Sequence, residues 1–524
     1  MQPKIVPQEI AEQFRDSIKH IVVVCFENRS FDAVFGNLYT PSNPPRNVLL
    51  PNGSPEVAHD PPFFGLMWPN ETNSSPQGAQ NPSSSSGLSQ EEVGSASAVV
   101  DDVMISPYHY NEHNGKSHYA STPLRVSSED FLRQATWPPV NPGEDLTHVA
   151  HQLYGNSSDQ VDWTKSPSMS GFISDYESVL AHLGETRISP PSIMQSIAKD
   201  FVPVFRSLAE QYAVVDKWFC SVPSQTWTNR MYLHAATSQG IISNGNGRLE
   251  RNKRTTYLSH YPLRTIMNHM DTFHGGAPYI IEEEVFASSD VSEESWSWNI
   301  FTDTKNADLS SRLFSKLFGD RENRVYYEME EFYTKAQGGT LPAYSFVEPR
   351  FVSINGKLHN DMHPSEILEG PAGKLFQRPP VWLAQRLILD LYKALFIDAP
   401  KANQSETLLL VLFDEAGGCY DHVPPPPSSH PHCRSAEAMT DFHFQRFGVR
   451  VPCLLVSPKI APATVLRAKP GETFDHTSVI SSIRNRWKVD GSDTPALTRR
   501  DLTAPTFWHV GNLLTNTERS PQEI

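Results

Sequence analysis

Two short stretches of the sequence gather carboxylates and amides densely enough to do chemistry. One is Glu27-Asn28-Arg29-Ser30-Phe31-Asp32, and the other is Asp414-Glu415-Ala416-Gly417-Gly418-Cys419-Tyr420-Asp421-His422. Carboxylates that share a site repel one another unless a cation lies among them, and oxygen donors of this kind are what a hard divalent ion takes. The competing reading is that Glu27 or Asp414 caps the N-terminus of a helix.

Each stretch directly follows an apolar run. Residues 20–26 (His-Ile-Val-Val-Val-Cys-Phe) and 407–413 (Thr-Leu-Leu-Leu-Val-Leu-Phe) have strand length and no polar alternation, which predicts strands buried on both faces of a mainly parallel sheet. Over 381–396, Leu383, Leu387, Ile388, Leu391 and Leu395 recur at helical spacing behind Pro379 and Pro380. A helix leading into a buried strand is half of a βαβ unit. Further strands are predicted at 212–216, 344–347 and 451–457. Open α/β sheets bind ligands beyond the carboxyl ends of their strands, so both acidic stretches are expected on one edge.

The 524 residues leave room for roughly two to four average domains, yet large α/β enzymes often keep such a chain around one sheet. We read residues 1–524 as a single catalytic domain. The stretch from about 39 to 99 is rich in Pro, Asn, Gly and Ser and reads as a loop insertion, and 243–256 and the proline run after Val423 read as further loops. Apolar residues in the insertion (Phe63, Phe64, Leu66, Met67 and Trp68) would suit contact with a lipid surface.

With 38% hydrophobic residues the chain is too apolar for a disordered protein, and its net charge of −15 argues against a grip on nucleic acid, which relies on clustered Lys and Arg. No apolar run approaches the roughly 20 residues of a spanning helix. Residues 1–20 carry charges throughout and lack the apolar core of a secretory signal, so the expectation is a cytoplasmic protein or one exported by a non-classical route. The five cysteines (Cys25, Cys220, Cys419, Cys433 and Cys453) are widely spaced without a C-x-x-C pair and read as reduced structural thiols.

The first acidic stretch resembles the opening motif of the phosphoesterase family that contains plant non-specific phospholipases C, bacterial phospholipases C and the Francisella-type acid phosphatase. The likeness continues along the chain. Ser221-Val-Pro-Ser-Gln-Thr226-Trp-Thr-Asn229-Arg230 is similar to the family's nucleophile segment, and 414–423 to its second acidic motif. Gly448-Val-Arg-Val-Pro452 with Ser457-Pro458 is similar to its next strand, and Phe474-Asp-His476-Thr-Ser to its final block. Asp145-Leu-Thr-His148 ahead of Met169-Ser-Gly-Phe172, and Asn360-Asp361-Met-His363-Pro364, resemble two histidine segments.

The resemblance implies an α/β fold, an alkaline-phosphatase-like three-layer α/β/α sandwich. It implies that Glu27, Asn28, Asp414 and Glu415, with Thr226, hold one divalent metal ion (Zn, Ca, Mg or Mn), and that Thr226 is the nucleophile of a phosphothreonine intermediate. A threonine hydroxyl needs a metal or a base to favour its alkoxide. Without the flanking motifs Thr226 would read as a turn residue beside Pro223. His148 and His363 are implied as catalytic histidines, and Asn229, Arg230, His422 and His476 as phosphate contacts. For Asn229 the alternative is orienting the turn, for Arg230 a buried ion pair, and for His422 and His476 a structural role. Two departures stand out: Thr228 replaces a family proline and is a second candidate hydroxyl, and Asp303 stands where the family carries His or Gln.

The implied activity is that of a phospholipase C cutting the glycerol side of a phosphodiester. The alternatives are an acid-phosphatase-type phosphomonoesterase using the same site and, from another class, an inactive lipid-binding module. The partners are a phospholipid or small phosphate ester, with peripheral contact at a membrane surface.

Overall fold

The apolar runs form the centre of a ten-stranded sheet. The structure, a computed structural model, describes residues 3–55, 138–155, 161–244, 265–272, 297–303, 325–351, 359–364, 380–431, 442–487 and 496–511, apart from short gaps, together with four short strands forming two hairpins elsewhere. In chain order the main strands are β1 (Lys4–Val6), β2 (His20–Phe26), β3 (Asn47–Pro51), β4 (Ala213–Val215), β5 (Trp298–Thr302), β6 (Tyr326–Glu328), β7 (Tyr344–Glu348), β8 (Thr407–Phe413), β9 (Cys453–Val456) and β10 (Thr464–Leu466). Their spatial order is β1-β3-β10-β4-β9-β8-β2-β7-β5-β6.

Every pairing is parallel except the two made by β9, which is antiparallel to both β8 and β4. The chain leaves β8 at its carboxyl edge, and the connection returns it to the sheet from that same edge, so β9 runs backwards as in a hairpin. The mainly parallel sheet expected from the sequence is present, with this strand reversed. One boundary differs from expectation: Asn47–Pro51, expected within the loop insertion, is a buried strand paired in parallel with β1 and β10. Its apolar core, Val48-Leu49-Leu50, was masked by the proline and asparagine on either side. The apolar residues 63–68 and the rest of the insertion to 99 lie outside the described residues, as does Cys433.

Helices cover both faces. The site uses α1 (Leu146–Tyr154), α2 (Phe172–His182) and α3 (Thr226–Ala235), and the sheet is also packed by α4 (Pro380–Phe396) and α5 (Thr477–Arg486). Phe205, on the helix Pro203–Gln211, packs against Phe26 and Phe413 at the ends of β2 and β8. His234 of α3 instead meets Phe346 edge-on, and Phe346 pairs with Val23. Val23 and Phe26 are an odd number of residues apart on one strand, so they point to opposite faces. The two helices therefore sandwich the sheet, giving three layers. Buried ion pairs tie the periphery down: Arg467 to Asp216, Arg484 to Asp501, and Arg500 to Asp475. Among the described residues no helix is long and apolar enough to cross a membrane, and Cys25, Cys220, Cys419 and Cys453 are buried free thiols.

Candidate active site

Phe26 pairs with Phe413 in parallel register, so Glu27 and Asp414 leave the sheet side by side. Asn28 then turns the chain with a left-handed φ of 57°, a conformation asparagine tolerates better than most side chains. The second strand's loop presses against this turn. A Cβ on Gly417 would lie 2.4 Å from the Asn28 Cβ, so only glycine fits there. Asp414 Oδ1 accepts from the amides of Glu415 (2.7 Å) and Asn28 (3.4 Å). Asn28 Nδ2 donates to Glu144 Oε2 at 2.6 Å, while its Oδ1 is buried with no hydrogen-bond partner among the described residues.

Thr226 enters from the other side as the first residue of α3, buried rather than on a surface turn. Its hydroxyl donates to Glu415 Oε1 at 3.4 Å. The N-terminal end of a helix favours negative charge, which suits both an alkoxide and an approaching phosphate. The residues just before α3 are held by Asn229, whose Oδ1 accepts from the Val222 amide and whose Nδ2 donates to the carbonyls of Val222 (3.2 Å) and Ser224 (2.8 Å). Asn229 thus orients the turn. Arg230, fully buried, likewise takes its alternative role: Nε donates to Asp414 Oδ2 at 2.8 Å, and Nη2 lies 3.5 Å from Glu27 and bonds the Cys25 carbonyl at 3.1 Å.

The floor of the site carries more negative charge than this one guanidinium offsets. Burial, then the neighbouring Asp414, pushes the Glu27 carboxyl well above its usual range. Burial, then Glu144 and Asp414, does the same to Glu415. An oxygen-only donor set of Glu27, Asp414, Glu415 and Thr226, with an unpartnered Asn28 Oδ1 beside it, fits a hard or borderline divalent cation. The carboxylates of this set do not close on one another as tightly as ligands usually do. Among the described residues, the three-residue group of acids, histidines or cysteines whose ligand atoms lie within 4.8 Å of one another is Asp32, Asp421 and His422.

That second group has its own cation. Arg450 Nε donates to Asp421 at 2.9 Å, its Nη2 donates to Asp32 at 3.0 Å, and His422 Nδ1 lies 2.7 Å from Asp32. His422, expected to touch phosphate, thus has its Nδ1 engaged by a carboxylate. His476 is fully buried. Its Nδ1 accepts from Trp218 Nε1 at 3.3 Å, which leaves Nε2–H to donate to the Asp414 carbonyl at 2.6 Å. Burial holds its pKa below the usual histidine value, which favours a neutral ring under the floor of the site.

His148 and His363 are the two histidines left at the mouth, with side chains 36% and 24% exposed. Both face Glu144, which no sequence motif marks. His363 Nε2 is 3.8 Å from its carboxylate, which also helps raise the His148 pKa. Glu144 sits in a proline- and glycine-containing segment before α1, where nothing in its spacing marks it out. Asp361, beside His363 in its motif, supports the site as well: its carbonyl accepts from the Glu27 amide at 2.7 Å and its side chain from the His363 amide at 3.1 Å. Asn244 Oδ1 accepts from the Trp227 amide at 2.9 Å and so caps α3 from a loop distant in sequence. Asp303, the family departure, forms an ion pair with Arg350.

Comparison with known proteins bears on this arrangement. The profile of the Phosphoesterase family matches residues 18–490. The chain is 30% identical over 405 residues to non-specific phospholipase C3 of Arabidopsis thaliana, covering 75% of this chain and 66% of that protein. To non-specific phospholipase C6 of the same plant it is 30% identical over 411 residues, covering 77% and 67%. The non-hemolytic phospholipase C of Burkholderia pseudomallei is 24% identical over 503 residues, 90% of this chain and 55% of that one. The chain thus spans about two thirds of the plant relatives' length and about half of the bacterial one.

Proposed function

The chain belongs to the Phosphoesterase family, and from that premise we propose that it is a phospholipase C that cuts the glycerol side of a phospholipid phosphodiester. The observation that carries the proposal is the placement of the Thr226 hydroxyl at the start of a helix, 3.4 Å from Glu415, over an acidic floor. In this reading Thr226 attacks phosphorus while Glu415 takes its proton, and His148 protonates the departing glycerol oxygen. Water then hydrolyses the phosphothreonine, releasing the phosphorylated head group. Glu27, Asn28, Asp414 and Glu415, with Thr226, would hold one Zn, Ca, Mg or Mn ion, which when bound supplies Lewis-acid stabilisation and lowers the hydroxyl pKa. His363 stands across Glu144 to meet the phosphoryl oxygens.

The purified protein is to be assayed side by side on phosphatidylcholine, sphingomyelin and p-nitrophenyl phosphate. Release of diacylglycerol from the first is the expected result. Turnover of the monoester alone would move the reading to a phosphomonoesterase, and turnover of none would leave an inactive lipid-binding module. Elemental analysis before and after chelation, paired with activity, tests the metal: full activity in a preparation free of divalent ions would refute the metal-assisted route while leaving the threonine step standing.

A further inference from the structure

His148 is held from behind by a closed ring of contacts. Its Nδ1 lies 2.8 Å from Asp175 Oδ1, in the first turn of α2. The other oxygen of that carboxylate accepts from Gln152 Nε2 at 2.8 Å, and the same amide nitrogen donates to the Gly143 carbonyl at 2.7 Å. Gly143 closes the ring by lying flat against the imidazole: a Cβ there would fall 2.1 Å from His148 Cγ and Nδ1. Gly418 of the second acidic loop packs on this assembly in turn, since its Cβ would meet the Gly143 carbonyl at 2.7 Å. Asp175 and Gln152 are buried, while the imidazole is over a third exposed. Among the described residues no hydrogen bond engages His148 Nε2.

We propose that Asp175, clamped by Gln152, is a positioning residue that keeps the His148 proton on Nδ1 and turns Nε2 toward the substrate. The inference rests on the reading of His148 as the acid of a phosphodiester cleavage. In the first step the Thr226 oxygen bonds to phosphorus, its proton passes to Glu415, and the bond from phosphorus to the glycerol oxygen breaks as His148 Nε2–H protonates that oxygen. In the second step the water oxygen bonds to phosphorus as its proton passes to the now neutral Nε2, the bond from phosphorus to the Thr226 oxygen breaks, that oxygen takes back the proton held by Glu415, and the phosphorylated head group leaves. The charged groups facing the ring are Asp175 on α2 and Asp145 and Glu144 just ahead of α1, and all three favour the imidazolium. The bond to Asp175 is the strongest of these influences and lifts the ring's pKa above the usual histidine value. A carboxylate behind an imidazole fixes its tautomer and stabilises its protonated form, as in hydrolytic triads.

The test uses the full chain with Asp175→Asn, which keeps the shape but removes the charge. Two substrates separate positioning from folding: phosphatidylcholine, whose alkoxide leaves only with a proton, and p-nitrophenyl phosphorylcholine, whose nitrophenolate leaves without one. We expect kcat on phosphatidylcholine to fall on the order of tenfold or more, with a clearly smaller fall on the nitrophenyl ester. The alkaline limb of the pH profile should move to lower pH, and Asp175→Glu should recover part of the loss. Equal losses on both substrates with an unmoved profile would overturn the proposal. Should the wild-type protein hydrolyse neither ester, the phospholipase reading falls by itself. The His148 ring titration, followed by NMR, then decides the inference: a lower pKa in Asp175→Asn supports the clamp, and an unchanged one refutes it. If Asp175→Asn does not fold, Gln152→Met reads the same quantities with the carboxylate kept but unclamped.

Discussion

Two acidic clusters stand on the same edge of the same sheet, built from the same two stretches of sequence, and they are opposites. Glu27 and Asp414 share one guanidinium, that of Arg230, and Glu27 and Glu415 are pushed toward protonation by burial and by their acidic neighbours. Asp32 and Asp421, a few residues further along each stretch, are closed by Arg450 and His422. Arg450 Nη1 donates to the Asp216 carbonyl, and the guanidinium stacks over Phe31. The first cluster is short of positive charge and ends at an amide oxygen with no hydrogen-bond partner among the described residues. The second is a satisfied ion network that fastens the two loops together and so holds the first in place. Acid density alone does not separate a site from a clasp; the balance of charge and the hydrogen bonds left over do.

If that division is right, substitutions in the two clusters should fail in different ways. Thr226→Ala, at the charge-poor cluster, is expected to remove turnover, a loss on the order of 4 kcal/mol or more of transition-state stabilisation. Its stability in urea should stay within about 1 kcal/mol of wild type, because the hydroxyl makes one long hydrogen bond. Arg450→Met should do the reverse in kind, costing about 3 to 5 kcal/mol of stability by stranding two buried carboxylates. Adding Asp32→Asn and Asp421→Asn to that variant should return part of the loss. Urea denaturation reads all three, and an Arg450→Met protein as stable as wild type would dissolve the distinction between clasp and site.

The sequence made the edge legible because its signals there are local. Uninterrupted apolar runs at 20–26 and 407–413 marked β2 and β8 to the residue, and the acids that follow them could only emerge at the carboxyl end. The division of labour within each stretch was not legible. His422 and His476 sit in motifs like any others, and only their three-dimensional partners, Asp32 for one and the Asp414 carbonyl with Trp218 for the other, show them engaged in structure. Glu144 was hidden for a related reason: its partners, Asn28 and His363, lie more than a hundred residues away on either side. The strand Asn47–Pro51 escaped because three apolar residues inside a Pro- and Asn-rich stretch look like a loop until the sheet supplies neighbours.

A subtler test of the clasp is its response to acid. Burial pushes the Asp32 carboxyl up, but the charge and hydrogen bond of His422, with Arg450, outweigh it and leave the pKa below the ordinary aspartate value. A depressed folded value means that this stabilisation is fully present above the unfolded pKa of about 3.9 and is lost as pH falls through the folded one. His422→Ala removes one of the groups that depress it. The variant should be less stable than wild type by about 1 kcal/mol near neutrality, with the gap closing as pH falls through the depressed folded pKa and the Asp32 carboxyl protonates. Urea midpoints measured across that range check it, and a gap that stays constant into acid would mean that His422 acts by packing and not through Asp32.

The smallest expected effect lies two residues from the largest. Thr228 shares the first turn of α3 with Thr226 and is the other hydroxyl that could attack phosphorus, standing where the family carries proline. Its side chain is fully buried, and its Oγ1 has no hydrogen-bond partner among the described residues. A buried hydroxyl in that state contributes its desolvation cost and no bond, so removing it should not weaken the fold. Valine keeps the β-branched shape and the same stiffness at χ1, which holds helix propensity nearly constant. Thr228→Val should therefore change stability by less than about 1 kcal/mol, in the stabilising direction. Turnover of phosphate esters should remain within about twofold of wild type, since a group aimed into the protein interior offers no lone pair to phosphorus. Parallel kinetics of Thr226→Ala and Thr228→Val decide the point: loss of turnover in the valine variant with activity kept in the alanine one would shift the nucleophile along the helix by two residues, and with it the site away from Glu415.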